Sequence, residues 1–332
     1  MPAPSFSFVL PTFNASGTAF ERALESIRAQ AYPPDRVEII VADGGSTDGT
    51  RAQAEGNGAR VIDNPNRLAE WGVKEGMLVA SGDIAVIFAA DNELVGHDWL
   101  SRVSALFSQH PSLSAVFGRL VSGADDPPLN KYMELVQSEP LNWFLNRNLE
   151  WYLDRHPAGP DGFAVFELDR TRPLVWGANG LAVRREYALP AWQRDGYVAD
   201  VDAFHTMASS HGLVAYTQQP HCYHHQVARL ADLRQKWLRN ARQHLVHQAP
   251  HRDLEWVLVP SFRRRALLWG VYSLVPAFSG VDALVRAGRD RTVYWLYHPV
   301  TSFLQTVTYA QALASSPDGR ALVRRALGRP PA

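Results

Sequence analysis

Short runs of β-branched and aromatic residues alternate with amphipathic stretches through the first 120 residues, and this alternation constrains the fold more than any other feature. The strand-like runs are SFVLP, VEIIVAD, RVID, DIAVIFAA and LSAVFG. The first helical stretch between them begins at Thr18, and the later ones cover residues 49–58, 68–80 and 98–108. Strands that alternate with crossover helices predict an α/β domain with a mostly parallel central sheet covered on both faces.

Three polar clusters follow strands of this sheet: PTFN after the first, DGGSTDGT after the second and DNE after the fourth. Each cluster alone has the composition of a tight turn. Because ligands bind at the carboxyl ends of the strands in such sheets, the three clusters together predict a ligand site. The sequence has no G-x-G-x-x-G motif after the first strand and no G-x-x-x-x-G-K-[ST] motif, which weighs against dinucleotide-dependent enzymes and P-loop NTPases.

Charge and cysteine content exclude further classes. The 33 basic and 33 acidic residues cancel, so no global field favours a nucleic-acid partner. Cys222 is the single cysteine, which excludes an internal disulfide framework and a multi-cysteine metal site. The first residues lack the basic and apolar regions of a secretory signal, so the chain is expected to begin in the cytoplasm.

Five segments occur in a characteristic order: FVLPTFNASGTAFERALESIRAQAYP, VEIIVADGGSTDGT, ASGDIAVIFAADNE, GANGLAVRRE and ADVDAFHTMASSHG. In this order they resemble the family-2 glycosyltransferases with the GT-A fold. The resemblance implies a GT-A domain over residues 1–245, followed by a helical, membrane-associating region over residues 246–332. It also implies inverting transfer of a sugar from a UDP- or GDP-sugar to an acceptor hydroxyl.

The resemblance assigns the nucleotide of the donor to the first two polar clusters. Pro11, Thr12, Asn14 and Asp43 are expected to hold the base and ribose, with the carboxylate of Asp43 accepting a hydrogen bond from a ring N–H. Lys74 lies near the position that faces the donor, where an ammonium would neutralise diphosphate charge. A solvated lysine on a helix is the alternative.

The third cluster lies where the family has its metal-binding Asp-x-Asp element. Here the frame reads Ala89, Ala90, Asp91, so only the second aspartate remains. Asp91 is therefore the expected ligand of Mg²⁺ or Mn²⁺, with Asn92 and Glu93 as compensating residues at the donor sugar.

The segment PHCYHH contributes His221, His224 and His225. A zinc site is disfavoured because no cysteine pair or H-E-x-x-H helix accompanies these residues. The resemblance implies that His224 or His225 reaches the metal or the diphosphate, and solvent-facing imidazoles on a loop are the alternative.

The resemblance assigns the donor-sugar floor and the general base to the second half of the domain. Gly177, Asn179 and Gly180 are expected to form the floor under the sugar. Asp200 matches the general base, which takes a proton from the acceptor hydroxyl, and Asp202 matches the acid that follows it. Ala199 replaces a glutamate of the family pattern. The alternative role for Asp200 is a helix N-cap.

The remaining chain is basic and then apolar. Nine basic and three acidic residues lie between Arg229 and Arg265, and in this region Lys236, Trp237 and Arg239 are expected to meet the donor diphosphate or the acceptor. A plain amphipathic helix with a solvated basic face is the alternative. Residues 266–281 and 292–314 contain no charged side chain and are flanked by arginines.

The arginine flanks favour helices that lie in the membrane interface on the cytoplasmic side of the cell membrane, with a homo-oligomer interface as the alternative. Membrane association makes a lipid-linked glycan the expected acceptor, as in the synthesis of cell-surface polysaccharides or glycolipids. A non-catalytic relative that binds nucleotide-sugar or glycan is the competing interpretation, because alanine occupies two positions where the family has acids. A polymerising synthase is disfavoured, since the chain lacks a set of long spanning helices.

Overall fold

The computed structural model describes residues 3–326 other than 138, 146, 170, 173, 175–178 and 244–259. The described elements are, in chain order, β1 Phe6–Thr12, α1 Thr18–Arg28, β2 Val37–Asp43, α2 Thr50–Gly56, β3 Arg60–Asp63, α3 Ala69–Val79, β4 Ile84–Ile87, β5 Asn92–Leu94, α4 Trp99–Gln109, β6 Leu113–Val121, α5 Pro128–Val136, α6 Pro140–Leu145, α7 Arg147–Arg155, β7 Phe163–Glu167, β8 Leu181–Arg184, α8 Arg185–Trp192, α9 Asp200–His211, β9 Leu213–His224, α10 Leu230–Asn240, α11 Pro260–Leu274, α12 Pro276–Asp290, α13 His298–Ala314 and α14 Pro317–Ala326. Short 3₁₀ helices add Pro34–Arg36 and Val293–Tyr297.

The chain divides into two compact units. The N-terminal unit comprises Met1–Val121 and Asn148–His225, and the C-terminal unit comprises Ser122–Arg147 and Gln226–Ala332. The predicted boundary between residues 245 and 246 lies outside the described residues and stays a prediction. The internal stretch that carries α5 and α6 groups with the C-terminal helices.

The sheet of the N-terminal unit has the strand order β3-β2-β1-β4-β8-β6-β9-β5, and β7 pairs with β9. The strands β3, β2, β1 and β4 run parallel, as the alternating sequence predicts. Beyond β4 the sheet is mixed, since β8 is antiparallel to both β4 and β6 while β6 and β9 are parallel. The α/β class is therefore confirmed, and the parallel arrangement applies to the first four strands.

Alternation along β1 sends side chains to both faces of the sheet. Phe6, Phe8 and Leu10 pack with α1 and α4 on one face, whereas Val9 packs on the other with α3. Because both faces are covered by apolar residues, the sheet is buried on each side, as expected for crossover connections. Gly76 lets α3 approach the strand closely, since a Cβ at this position would lie 2.3 Å from Cγ1 of Val9.

The C-terminal unit is helical in the part that the structure describes. Its apolar core includes Tyr132 and Met133 of α5, Leu233 and Trp237 of α10, and Trp295. The ring of Trp143 lies against Trp295 with centroids 5.6 Å apart. Aromatic side chains therefore fill much of the space between these helices.

Candidate functional site

The carboxyl ends of β1 and β2 form one edge of the N-terminal unit, and their loops are joined by side chains. The backbone N–H of Asn14 donates to Oγ of Ser46 at 2.8 Å, and the N–H of Thr47 donates to Oδ1 of Asn14 at 2.9 Å. Asn14 adopts a positive φ of 49°, which asparagine tolerates better than most residues. The asparagine predicted to bind the nucleotide therefore fixes the shape of this edge.

Asp43 is buried at the end of β2, and its carboxylate is surrounded by protein donors. One oxygen accepts hydrogen bonds from the N–H groups of Gly45 and Ser46 at 3.1 and 3.0 Å, and Arg51 lies 3.3 Å from it. The other oxygen accepts from the hydroxyls of Ser46 and Thr12. Burial acts to raise the pKa of Asp43, but these hydrogen bonds outweigh it and hold the pKa below its ordinary value.

These contacts give Asp43 a structural role, because its carboxylate accepts hydrogen bonds from its own loop and from Thr12 and thereby organises this edge. Its expected hydrogen bond to a ring N–H stays a prediction. Thr12 is buried and Pro11 is half-buried. Phe13, which the sequence reasoning missed, has 51% of its surface exposed, and the guanidinium of Arg67 lies 5.8 Å from its ring centre. The phenylalanine in PTFN indicates, from the sequence alone, a planar side chain at this edge.

The ammonium of Lys74 is not solvated, and it points to backbone carbonyls and not to the nucleotide-sugar. It lies on α3 with only 8% of its surface exposed, and its ammonium donates hydrogen bonds to the backbone carbonyls of Arg194 and Gly196. The ammonium also lies 5.1 Å from the ring centre of Trp71. The predicted diphosphate contact is corrected accordingly, because Lys74 ties the loop after α8 to α3.

Asp91 and His224 are brought together by the antiparallel pairing of β5 with β9. Asn92 lies opposite His224 in the register, and the N–H of His225 donates to the carbonyl of Asp91 at 2.9 Å. Nε2 of His224 lies 3.7 Å from Oδ2 of Asp91, and the aspartate side chain is 35% exposed. A partly exposed carboxylate next to an imidazole provides two metal-ligating groups that suit a divalent cation.

The other residues of this cluster have different partners. Asn92 is fully buried, and its Oδ1 accepts a hydrogen bond from the N–H of Ala89 at 2.8 Å, so it closes the turn that carries Asp91 and does not face a sugar. Glu93 lies 3.5 Å from Nε of Arg22 and 3.3 Å from Nε2 of His225. His225 is thus paired with a carboxylate, and the predicted ligand set narrows to Asp91 and His224. Within the described ranges no group of three or more His, Cys, Asp or Glu residues is arranged to hold a metal.

Two buried histidines, neither of them predicted as site residues, hold the ends of the segment expected to form the sugar floor. Nε2 of His221 lies 2.9 Å from the carbonyl of Gly180, and the indole N–H of Trp99 donates to Nδ1 of His221 at 3.2 Å. At the other end, Nε2 of His205 lies within 3.0 Å of the backbone of Leu174. Burial lowers the pKa of His221 to about 4, so its imidazole is neutral at ordinary pH.

The floor segment itself is only partly described. Gly180 has a φ of +69°, which favours glycine, and its N–H donates to the carbonyl of Ile87 at 3.0 Å. Asn179 lies in the turn before β8 and is half-buried. Gly177 lies outside the described residues.

Asp200 is the first residue of α9, and the N-cap is Ala199, with no side chain capping the helix. The N-cap alternative for Asp200 is therefore wrong. Asp202 is 2% exposed and lies close enough to His205 for its charge to oppose the lowering of the histidine pKa by burial. The match of Asp202 to the acid that follows the base stays a prediction, with its side chain buried in the structure.

The predicted residues of α10 belong to the C-terminal unit. Trp237 is buried in the apolar core of that unit, so it is a packing residue and not an exposed platform. Lys236 is half-buried and Arg239 is exposed. Burial raises the pKa of Glu139 to about 7, although a hydrogen bond from Tyr309 and the positive charge of Lys236 oppose that rise.

Comparison with known proteins decides the family. The family model described as "Glycosyl transferase family 2" matches residues 7–169, which carry the loops of β1, β2 and β4. Over residues 7–169 this chain belongs to glycosyl transferase family 2.

This chain is similar to curated glycosyltransferases over part of its length. It is 32% identical over 129 residues to a PGL/p-HBAD biosynthesis glycosyltransferase from Mycobacterium tuberculosis, covering 36% of this chain and 48% of that protein. It is 26% identical over 147 residues to the dolichyl N-acetyl-alpha-D-glucosaminyl phosphate 3-beta-D-2,3-diacetamido-2,3-dideoxy-beta-D-glucuronosyltransferase of Methanococcus voltae, covering 41% of this chain and 45% of that protein. The chain spans about half the length of the curated relatives it matches.

A solved structure shows the fold of this family-2 chain. It is similar to the mannosyltransferase PcManGT from Pyrobaculum calidifontis, in complex with GDP-Man and Mn²⁺, with a TM-score of 0.56 and 18% identity over 94% of this chain and 88% of that one. The predicted GT-A fold is confirmed.

Proposed function

We propose that this chain is a glycosyltransferase that moves a sugar from a UDP- or GDP-sugar to an acceptor hydroxyl with inversion at the anomeric carbon. The observation that carries the proposal is the pairing of Asp91 with His224 at a separation of 3.7 Å. Asp91 follows β4, at the position where the family places its metal-binding acids, and His224 reaches it from the end of β9.

The metal-ligating groups of this pair fit Mg²⁺ or Mn²⁺. The carboxylate of Asp91 and the imidazole of His224 would supply two ligands, and diphosphate oxygens and water would complete the shell, since such cations need few protein ligands when a nucleotide is bound. When bound, the cation supplies charge stabilisation to the departing nucleoside diphosphate. The presence of Mn²⁺ and GDP-Man in the mannosyltransferase structure supports this choice of metal and donor class.

Asp200 is the proposed general base. Its carboxylate takes the proton of the acceptor hydroxyl as the oxygen attacks the anomeric carbon, and the diphosphate leaves from the opposite face. Asp200 is the first residue of α9 and is half-buried. Its place in the order of the family's motifs supports this role.

The proposed acceptor is a lipid-linked glycan on the cytoplasmic side of the cell membrane. Support comes from the name of the Methanococcus voltae relative, which describes a dolichyl-linked sugar phosphate as the acceptor. The competing function is a non-catalytic protein that binds nucleotide-sugar or glycan, and it is favoured by alanine at Ala89 and Ala199, where the family has acids.

A panel of nucleotide-sugars, assayed for donor hydrolysis with and without Mn²⁺, tests the proposal. Asp200→Asn is expected to keep donor affinity and to lower sugar transfer by about 10²- to 10⁴-fold, because the amide cannot accept the proton. Asp195→Asn removes an exposed carboxylate from the preceding loop and is the matched control, with transfer expected to be unchanged. Donor binding without hydrolysis of any donor would establish the binding protein instead, and full transfer by Asp200→Asn would remove the general base from this residue.

A further inference from the structure

The helices α11, α12 and α13 expose their apolar side chains and bury polar ones. The following residues are each 41–65% exposed and are called the apolar face: Leu267, Leu268, Val271, Leu274, Val275, Phe278, Val281, Leu284, Val285, Val300, Phe303 and Val307. Within each helix they recur at spacings of three and four, which places them along one side. Apolar side chains exposed in this number indicate an interaction surface.

The buried positions of the same helices have the opposite character. They are mainly small or polar residues: Ser273, Ser279, Ala283, His298, Thr301, Ser302, Gln305 and Thr308. Several of these side chains have internal partners, as when the hydroxyl of Ser273 lies 2.8 Å from that of Thr306, or the hydroxyl of Tyr272 lies 2.8 Å from Nε2 of His298. The buried hydroxyl of Ser302 has no hydrogen-bond partner among the described residues.

Apolar exposed positions combined with polar buried positions distinguish a bilayer from a protein as the partner of the apolar face. A helix that packs in water buries its apolar stripe and exposes its polar one. Helices that pack in lipid gain nothing from burying apolar area against each other, so they meet through small residues and interhelical hydrogen bonds. A surface that binds another protein requires an apolar exterior but does not require a polar interior.

The charges lie at the borders of the apolar face. Arg264 near the start of α11 and Arg291 after α12 are exposed, and residues 266–281 hold no charge. Within α12, Asp282 pairs with Arg286 at 3.0 Å and also accepts a hydrogen bond from the hydroxyl of Tyr272 at 2.7 Å. At the end of the helix Arg289 pairs with Asp290 at 2.7 Å. Arginines that border an apolar surface complement anionic phospholipid headgroups.

Helix length limits how deep the face can lie. The three helices have 15, 15 and 17 residues, which corresponds to about 22–25 Å, against about 30 Å for the hydrocarbon core. Among the described residues no single helix meets the length and hydropathy expected of a membrane span, and one pair does so only together, Arg264–Leu274 with Pro276–Asp290, bent by 90°.

We infer that the apolar face docks on an anionic phospholipid bilayer and sinks into one leaflet without crossing it. The occupant is lipid, and the bordering arginines contact its headgroups. This surface is independent of the transfer chemistry, so vesicle binding and sugar transfer can fail separately.

Site-specific fluorescence in the full-length protein tests the docking. Cys222 is buried, and burial raises the pKa of its thiol, so it resists labelling and leaves an introduced cysteine as the labelled position. Val281→Cys carries an environment-sensitive dye on the apolar face, and Leu78→Cys carries the same dye at an exposed site on α3. On adding vesicles of phosphatidylcholine and phosphatidylglycerol, the dye at residue 281 should shift to the blue while the dye at residue 78 does not.

Flotation of the unlabelled full-length protein with the same vesicles gives the second measurement. A variant with Leu267→Glu, Phe278→Glu and Leu284→Glu is expected to bind at least about a hundredfold more weakly, whereas Leu78→Glu binds like the wild type. Because all four sites are exposed, thermal unfolding should be nearly unchanged in both variants. Absence of wild-type flotation, equal flotation of the triple variant, or a dimer that dissociates in the triple variant while vesicles stay unbound would each overturn the inference.

Discussion

His221 predicts a specific response of stability to pH, because both of its ring nitrogens are engaged in the neutral form. Nε2–H donates to the carbonyl of Gly180, and Nδ1 accepts from the indole N–H of Trp99. A second proton on Nδ1 would remove the acceptor for Trp99, and two N–H donors would then face each other inside the core. Burial is the main cause that lowers the pKa of His221 to about 4, and the positive charge of Arg102 adds to it.

The size of the effect follows from that pKa. An unfolded histidine titrates near 6.5, so the unfolded chain binds more protons than the folded chain between pH 6.5 and 4. The free energy of unfolding therefore falls as the pH falls through this window. For His221 alone the loss from pH 7 to pH 5 is about 2 kcal/mol.

His221→Gln isolates this contribution. Glutamine can still donate to the carbonyl of Gly180 but does not titrate, so the variant should be less stable at pH 7.5 and lose less stability on acidification. Urea unfolding at pH 7.5, 6 and 5 is expected to show the gap between wild type and variant closing by about 2 kcal/mol. His156→Gln removes an exposed imidazole and serves as the control. Parallel stability curves for wild type and His221→Gln would refute the reasoning.

Two further predictions concern the proposed metal site and Lys74. Asp91→Asn and His224→Gln should each weaken Mn²⁺-dependent binding of UDP or GDP by about tenfold or more while leaving metal-free binding unchanged, as measured by calorimetry; unchanged affinity in Mn²⁺ would remove the metal from this pair. Lys74→Met should lower the free energy of unfolding by about 1–3 kcal/mol, because two partly buried hydrogen bonds from a charged group are lost, and should leave nucleotide affinity within about twofold. Weaker nucleotide binding at unchanged stability would restore the diphosphate role of Lys74.

The first four strands could be predicted because their signals are local. Each is a short apolar run next to its crossover helix, and β3 and α3 have nearly the bounds that the sequence predicts. The rest of the sheet depends on pairings between distant residues. Asn92–Leu94 reads as part of a polar turn, yet it forms β5 because Cys222, Tyr223 and His224 supply its partners from β9.

The sequence predicts which polar residues follow the strands at this edge of the sheet but not the direction of their side chains. Polar residues at such an edge either bind ligands or hold the loops, and the choice depends on partners far along the chain. Lys74 illustrates this, since its carbonyl partners lie 120 and 122 residues away. Asp43 illustrates the local case, because its donors come from the loop that it begins.

The first acid of the Asp-x-Asp element is absent, and β9 supports the second acid, Asp91. The turn from Ala89 to Asn92 is closed by the side chain of Asn92, and the N–H of His225 binds the carbonyl of Asp91. The segment that fixes Asp91 therefore also positions His224, because His224 at the end of β9 and the adjacent His225 make the two contacts. In the proposed site the second protein ligand comes from β9 and not from position 89. Weakening the pairing of β5 with β9 should then displace both ligands together, whereas an acid restored at position 89 would add a ligand without replacing the histidine.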